Sequence, residues 1–92
     1  MSDNLVSIII PCFNARKWIG ECLQSCLAQT YKNVEIIVVD DGSTDESVAI
    51  ISSFRSSKIK LVQQGNRGAC AARNNGLRLA KGQWIQIGRA HV

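Results

Sequence analysis

Two runs of β-branched apolar residues constrain the fold of this chain most strongly. Residues 6–10 read VSIII, and residues 34–39 read VEIIVV. Apolar runs of this length are typical of strands that are buried on both faces of a parallel sheet. We expect Pro11 to end the first strand. Parallel strands need long crossover connections, so we expect helices between them.

The segments between the strands carry helical patterns. Apolar residues recur at helical spacing within residues 17–30, which predicts an amphipathic helix with an inward stripe of Ile19, Cys22, Leu23, Cys26 and Leu27. Ser43 followed three residues later by Glu46 matches a capping box, which predicts a second helix reaching Phe54. Residues 68–80 form a third predicted helix, whose small residues would let it lie close to a sheet.

Two further short strands, residues 59–62 (IKLV) and Trp84–Ile87, complete a β-α-β-α-β-α-β order. This order predicts an α/β fold with a mostly parallel sheet covered on both faces. Ligands of such open sheets bind beyond the carboxyl ends of the strands. The segments that follow the first three strands, PCFN, DDGS and QQGNRG, are therefore the expected walls of a ligand site.

Charge and hydropathy exclude several function classes. The net charge is +4, but the basic residues are spread along the chain, whereas a nucleic-acid-binding domain has a basic cluster. The acids are clustered, since Asp40, Asp41, Asp45 and Glu46 are four of the seven. We therefore expect no nucleic-acid partner, and a metal, a base or a sugar hydroxyl as the ligand of the acids. No apolar run approaches the roughly 20 residues of a membrane span, and no secretory signal is recognisable, so we predict a cytoplasmic location.

The four cysteines do not form a recognisable framework. Cys22 and Cys26 share a predicted helix face, Cys12 follows a strand, and Cys70 lies on another helix. No C-x-x-C pair occurs, so we expect neither disulfides nor zinc. Small packing residues in a reducing compartment are the preferred interpretation.

Asp40 and Asp41 are adjacent carboxylates at the end of a predicted buried strand. Because side chains alternate along a strand, the two acids are expected to have different roles. One would accept hydrogen bonds from the following turn, and the other would face the ligand and accept from a nucleobase N–H or a ribose hydroxyl. Asp45 is expected to cap the next helix.

Other candidates keep two interpretations each. Phe13 is either a core residue or a platform on which a base stacks. Asn14 suits a turn or a helix cap. Gly68 permits close backbone approach at a helix N-terminus, where an anion is favoured. Arg73 either pairs with an acid or reaches a phosphate. His91, the single histidine, receives no role.

Together these motifs resemble the family 2 glycosyltransferases, which have the GT-A fold. A strand runs into P-x-F/Y-N, a helix ends in S-x-x-x-Q-T-Y/F, and E-I/L-I-V-V-D-D-G-S-T-D follows. The pattern N-x-G-x-x-x-A-R-N-x-G-L then begins at Asn66. The resemblance covers about residues 5–86 and implies the Rossmann-like, nucleotide-binding half of that fold, truncated after the fourth strand.

The resemblance implies transfer of a sugar from a nucleotide-diphosphate donor, with inversion, Mg²⁺ or Mn²⁺, and a role in cell-wall or polysaccharide biosynthesis. A UDP-sugar is the expected donor, and the acceptor is a glycan, a lipid carrier or a protein. Asp41 would accept from the base, Asp40 would support the site, and Phe13 would stack on the base. The implied nucleotide-binding residues are Pro11, Phe13, Asn14, Asp40, Asp41, Gly68, Arg73 and Asn74.

One departure separates the chain from the family pattern. Family members continue after the G-x-W/Y-I strand into a D-x-D or D-D motif that binds the metal, and their catalytic base comes later. Here IGRAHV follows, and no acid occurs after Glu46. Because IGRAHV also equals one translated frame of a common sequencing adapter, we expect residues 1–86 to be the nucleotide-binding part and residues 87–92 a non-native tail. No catalytic or metal-binding residue is predicted.

The 92-residue chain on its own is therefore expected to have no glycosyltransferase activity. The alternative is a non-catalytic nucleotide-binding module. Membrane association, at the inner face of the membrane, is expected only through other regions of an intact enzyme.

Overall fold

The computed structural model describes residues 4–29 and 31–88. Four strands alternate with three helices, in the order β1 (Val6–Cys12), α1 (Ile19–Ala28), β2 (Val34–Asp40), α2 (Ser47–Ser53), β3 (Ile59–Gln63), α3 (Ala69–Leu79) and β4 (Trp84–Ile87). The strands pair in the order β3-β2-β1-β4, and every pair is parallel. The predicted α/β fold with a parallel sheet is confirmed.

Helices cover both faces of the sheet because β1 and β2 are apolar on both sides. On one face, alternate residues of these strands form a buried cluster with Ile19 of α1 and Ile51 of α2. On the other face, Ile37 and Val39 pack against Ala72 of α3. The central strands are therefore the core of the domain, and their carboxyl ends are held rigidly.

The close approach of α3 to the sheet depends on Gly76. A Cβ atom at this position would lie 2.5 Å from Cγ2 of Ile9 and 3.3 Å from Cγ2 of Val39. Contacts this short are not tolerated, so that any side chain here would push the helix outward. The predicted close packing of this helix is thereby confirmed.

Pro11 does not end β1, contrary to the sequence-based expectation, because the strand continues to Cys12. Ile9, two residues earlier, faces β4, and its carbonyl accepts a hydrogen bond from the N–H of Gly88. The backbone groups of alternate residues point toward the same neighbouring strand. The backbone nitrogen of Pro11 therefore also points to the β4 side of β1, at a level beyond Ile87, the last residue of β4. The missing N–H of proline therefore costs no ladder bond at this point.

The predicted capping box is also wrong. Helix α2 begins at Ser47, and its N-cap, Glu46, makes no side-chain cap hydrogen bond. The Ser43 hydroxyl instead donates to Oδ1 of Asp40 at 2.6 Å. This buried carboxylate is a nearby acceptor, whereas the helix begins four residues further along the chain. Asp45 accepts from the N–H of Ser47 at 2.9 Å, which is the capping role predicted for it.

Strand β4 is the exposed edge of the sheet. All four of its residues are exposed, including Trp84 at 63% and Ile85 at 45%. No cysteine among the described residues forms a disulfide, and Cys12 is buried whereas Cys70 is exposed. Within the part of the chain that the structure describes, no helix is long and apolar enough to cross a membrane.

Candidate functional site

A pocket of about 560 Å³ opens at the carboxyl end of the sheet. Its walls come from the end of β1, the residue after β2, the loop before α3, the first half of α3, and the end of β4. The lining residues are Pro11, Cys12, Phe13, Asp41, Asn66, Gly68, Ala69, Cys70, Ala72, Arg73, Ile87 and Gly88. This is the edge at which the topology predicts a ligand, and the volume suits a small molecule.

Asp41 is a buried carboxylate on the pocket wall, only 4% exposed. Its Oδ1 accepts from the N–H of Arg67 at 2.7 Å and from Nε2 of Gln64 at 2.9 Å, and its Oδ2 accepts from the N–H of Gly68 at 2.9 Å. These bonds, above all the one from Arg67, hold the pKa of Asp41 below its usual value. Asp41 is therefore an ionised hydrogen-bond acceptor.

The carboxylate of Asp41 keeps some accepting capacity. An ionised carboxylate offers about four lone-pair positions, two on each oxygen. The three donors occupy two positions on Oδ1 and one on Oδ2. One acceptor position on Oδ2 remains for a donor from the pocket, which is what recognition of an N–H or a hydroxyl requires.

Asp40 is committed to the turn that follows β2. Its Oδ2 accepts from the N–H of Ser43 at 3.0 Å, and its Oδ1 accepts from the hydroxyl of the same residue at 2.6 Å. Asp40 is buried and is absent from the pocket lining given above. The two adjacent acids therefore have the different environments that strand alternation predicts.

Cys12 lies beside Asp40 at the end of β1. Burial and the neighbouring carboxylate raise the pKa of its thiol to about 12. A thiol with such a pKa stays protonated at neutral pH and is a poor nucleophile. The thiol of Cys12 is thus an uncharged part of the pocket wall.

The turn after β2 also depends on Gly42. Its φ is +80°, a conformation that favours glycine. A Cβ atom here would lie 3.3 Å from the backbone nitrogen of Asn66, in the loop before α3. The small residue lets the two loops on either side of Asp41 approach each other.

Four further predicted residues also line the pocket. Phe13 is 48% exposed, which favours the platform interpretation over the core interpretation. Pro11 lies beside it. Gly68 has φ +100° and presents its N–H to Asp41, and Arg73 is an exposed side chain one turn into α3.

Asn14 and Asn74 are placed differently. Oδ1 of Asn14 accepts from the N–H of Thr44 at 2.8 Å, and the N–H of Asn14 donates to the hydroxyl of Ser43 at 2.9 Å. Asn14, with φ +48°, thus joins the loops after β1 and β2, which is the turn role considered for it. Asn74 is exposed on α3. A nucleotide contact of either asparagine stays a prediction.

Sequence reasoning missed Gln64 and Asn75. Gln64 donates to Asp41, and its Oε1 accepts from Nδ2 of Asn75 at 3.1 Å. The polar loop QQGNRG indicated this region, but no spacing distinguishes Gln64 from Gln63. Only the folded structure, which pairs Gln63 with Asp40 and bonds Gln64 to Asp41, shows which glutamine contacts the ligand-facing acid.

The residues that the structure describes contain no group of three or more His, Cys, Asp or Glu side chains suited to a metal ion. The donors around Asp41 are two backbone N–H groups and one amide N–H, which favour an anionic oxygen and leave no cluster of oxygen ligands. The described residues thus do not fit a metal centre. His91, which received no role, lies outside them.

The chain is a member of glycosyl transferase family 2, whose sequence model matches residues 7–87. GlyG, a glycosyltransferase of Streptococcus pneumoniae, is 43% identical over 88 residues, which are 92% of this chain and 29% of GlyG. WfaP of Escherichia coli, a UDP-Glc:alpha-D-GlcNAc-diphosphoundecaprenol beta-1,3-glucosyltransferase, is 45% identical over 82 residues, which are 88% of this chain and 33% of WfaP.

Solved structures agree with this assignment. TarS of Staphylococcus aureus, residues 1–349, superposes with a TM-score of 0.86 at 32% identity and covers 92% of this chain and 27% of that one. The mannosyltransferase PcManGT of Pyrobaculum calidifontis, in complex with GDP-Man and Mn²⁺, has a TM-score of 0.85 at 30% identity, with the same coverage of both chains. The GT-A fold implied by the resemblance is thereby confirmed, and the chain spans about a third or less of these relatives.

Proposed function

We propose that the pocket binds the nucleotide of a sugar donor, and that the chain is the nucleotide-binding part of an enzyme that transfers the sugar to an acceptor. The observation that carries the proposal is the ionised carboxylate of Asp41, which lines the pocket with one acceptor position unfilled. Two related structures support it, since TarS is solved with UDP-GlcNAc and PcManGT with GDP-Man.

The pocket residues suggest a role for each part of the nucleotide. Asp41 accepts a hydrogen bond from an N–H of the base, and the half-exposed ring of Phe13 stacks on that base. Gly68, which has no side chain, permits close approach of the ribose or phosphate. Arg73 also lines the pocket and is suited to the diphosphate. Asp40 supports the site indirectly by holding the turn.

For the whole enzyme we propose an inverting, Mg²⁺- or Mn²⁺-dependent reaction in the biosynthesis of a cell-wall or other polysaccharide. A UDP-sugar is the preferred donor, as with TarS and WfaP, and the protein would act in the cytoplasm, at the inner face of the membrane. The metal would neutralise the diphosphate as it leaves. Its ligands would come from outside the described residues, and we propose that these 92 residues alone do not transfer sugar.

Isothermal titration calorimetry with UDP tests the binding proposal. Asp41→Asn replaces an acceptor by a group that also donates, and we expect at least a tenfold loss of affinity, because hydrogen bonds to charged groups are among the stronger ones. Asp45→Asn removes the same charge outside the pocket and should change affinity less than about twofold. A wild-type chain that binds neither UDP nor GDP would contradict the proposal.

Metal dependence and turnover distinguish the remaining alternatives. Incubation with UDP-GlcNAc or UDP-glucose and Mn²⁺ should release no UDP from the donor, and measurable turnover would contradict the proposed inactivity. Tight UDP binding that Mn²⁺ leaves unchanged would instead favour a non-catalytic nucleotide-binding module.

A further inference from the structure

A chain of side-chain hydrogen bonds connects Asp41 to the outer surface of α3. Gln64 Nε2 donates to Asp41 Oδ1 at 2.9 Å, and Asn75 Nδ2 donates to Gln64 Oε1 at 3.1 Å. Arg78 Nη2 donates to Asn75 Oδ1 at 2.6 Å. We call Arg78, Asn75 and Gln64 the amide relay. It joins the residue after β2, the end of β3 and one face of α3.

The direction of the amide relay is fixed by its two ends. The guanidinium of Arg78 can only donate, and the ionised carboxylate of Asp41 can only accept. Each amide between them must therefore accept on the Arg78 side and donate on the Asp41 side. If Gln64 were flipped, its Oε1 would oppose a carboxylate oxygen and its Nε2 would oppose the Nδ2 of Asn75. One orientation of both amides is thus strongly preferred.

This order has a consequence for the pocket. Gln64 donates to Asp41 through its side chain, whereas Arg67 and Gly68 donate through backbone N–H groups of the loop before α3. Gln64 and Arg67 together fill Oδ1. The carboxylate is therefore turned so that the acceptor position left unfilled is on Oδ2, the oxygen that otherwise meets only Gly68.

We propose that Gln64 and Asn75 are positioning residues that orient the carboxylate of Asp41 and so determine the affinity of the pocket for bases that present an N–H donor. The inference rests on the proposed function, because it assigns the base to Asp41. It adds two residues that have no contact with the ligand. Neither of them lines the pocket described above.

Two substitutions replace a hydrogen-bond donor of the amide relay by an acceptor without removing volume. Gln64→Glu places a second carboxylate against Asp41, and the repulsion between the two acids raises the pKa of at least one of them. Asn75→Asp turns a donor to Gln64 into an acceptor, which favours the flipped amide of Gln64 and points its Oε1 at Asp41. Asp40 precedes Asp41 in the chain, and Cys12 and Arg73 line the same pocket. These three groups are unchanged in both variants.

The first measurement needs no nucleotide. Carbon-13 NMR titration of the Asp41 carboxyl group in the ligand-free chain should show a higher pKa in Gln64→Glu, and a smaller rise in Asn75→Asp. Gln63→Glu, which adds the same charge on the exposed neighbouring glutamine, should leave the pKa nearly unchanged. An Asp41 pKa that is the same in Gln64→Glu, Asn75→Asp and the wild type would overturn the relay. If Gln64→Glu does not fold, Asn75→Asp decides the question alone.

The second measurement compares uridine with inorganic pyrophosphate. Both relay variants should bind uridine about tenfold more weakly at pH 7.5, because a hydrogen bond to a charged group is lost or misdirected. Pyrophosphate, which has no base, should bind as in the wild type. Equal losses for the two ligands would contradict a role in base recognition. A wild-type chain that does not bind UDP would refute the proposed function and this ligand role, whereas the NMR titration still decides whether the relay orients Asp41.

Discussion

Two buried carboxylates at opposite ends of β2, Asp41 and Glu35, show how similar bonding can produce different roles. Asp41 follows the carboxyl end of the strand and accepts from three uncharged donors. Glu35, near the amino end, also accepts three hydrogen bonds: from the Ser7 hydroxyl at 2.5 Å, Lys60 Nζ at 2.9 Å and the N–H of Lys81 at 2.6 Å. Asp41 lines a pocket, whereas Glu35 is bonded to neighbouring segments of the chain.

The donors to Glu35 come from three different segments of the chain. Ser7 lies on β1, Lys60 on β3 and Lys81 in the α3–β4 loop, so that Glu35 ties three segments to β2. Burial alone would raise the pKa of Glu35, but the bonds from Ser7, Lys81 and Lys60 outweigh it and lower the pKa to about 2. A cationic donor compensates the buried charge. Three donors leave one acceptor position unfilled on each acid, but Asp41 lines the pocket and Glu35 does not, so Glu35 has a structural role.

Removing Glu35 should give the largest loss of stability. Glu35→Ala leaves the Ser7 hydroxyl, the Lys81 N–H and the Lys60 amine without their acceptor, and we expect a loss of about 3 kcal/mol in the free energy of unfolding. Urea denaturation followed by circular dichroism measures it. Glu46→Ala breaks the exposed ion pair with Arg16 and should change stability little. Loss of UDP affinity in a folded Glu35→Ala chain would contradict the separation of the two ends.

Gly82→Ala should disrupt the amino end by a steric route. A Cβ atom at Gly82 would lie 2.6 Å from the carbonyl oxygen of Leu5 and 2.6 Å from the Ser7 hydroxyl oxygen. We expect about 2 kcal/mol of destabilisation, since backbone must move to relieve the contact. Gly65→Ala, in the loop near the pocket, has nothing within 4 Å and should change stability by less than about 0.5 kcal/mol. Thermal unfolding of both variants measures this difference in stability, and equal losses in the two variants would contradict it.

Acid should weaken the amino end through Glu35. Its pKa is lowered from 4.5 to about 2, so its contribution to stability is complete above pH 4.5 and is lost as pH falls toward 2. Urea unfolding between pH 7 and pH 2.5 should show this decline, and Glu35→Gln should make it shallower. The lowered pKa of Asp41 adds to the decline in both proteins. Parallel pH profiles for wild type and Glu35→Gln would show that Glu35 is not the responsible group.

The smallest expected effect is confined to the pocket end. Phe13→Ala should weaken UDP binding by about fivefold, since stacking of a base on an aromatic ring contributes roughly 1 kcal/mol or more. Stability should hardly change, because the ring is 48% exposed. Leu79→Ala removes a similarly exposed side chain at 42%, outside the pocket, and should leave affinity unchanged. Calorimetry on both variants measures the difference, and unaltered UDP affinity in Phe13→Ala would exclude stacking.

Sequence reasoning succeeded where the signal is local. The β-branched runs identified β1 and β2, and the polar segments after the strands identified most of the pocket wall. It failed where two signals competed, as with Ser43, whose hydroxyl binds Asp40 and does not cap α2. Glu35 gave no signal at all, because a single acid inside an apolar strand has the same sequence pattern with or without partners.

The sequence by itself determined the α/β order, the parallel sheet and the family, because periodicity and motif spacing are properties of short segments. It also indicated that Asp40 and Asp41 differ, since strand geometry points them to different sides. Only the tertiary structure decided which donors each acid meets. Gln64 reaches Asp41, Asn75 reaches Gln64, and Lys60 and Lys81 reach Glu35, across sequence separations that no local pattern encodes. Strand register and helix packing bring these groups within bonding distance, and the same packing places Asp41, but not Glu35, on the wall of the pocket.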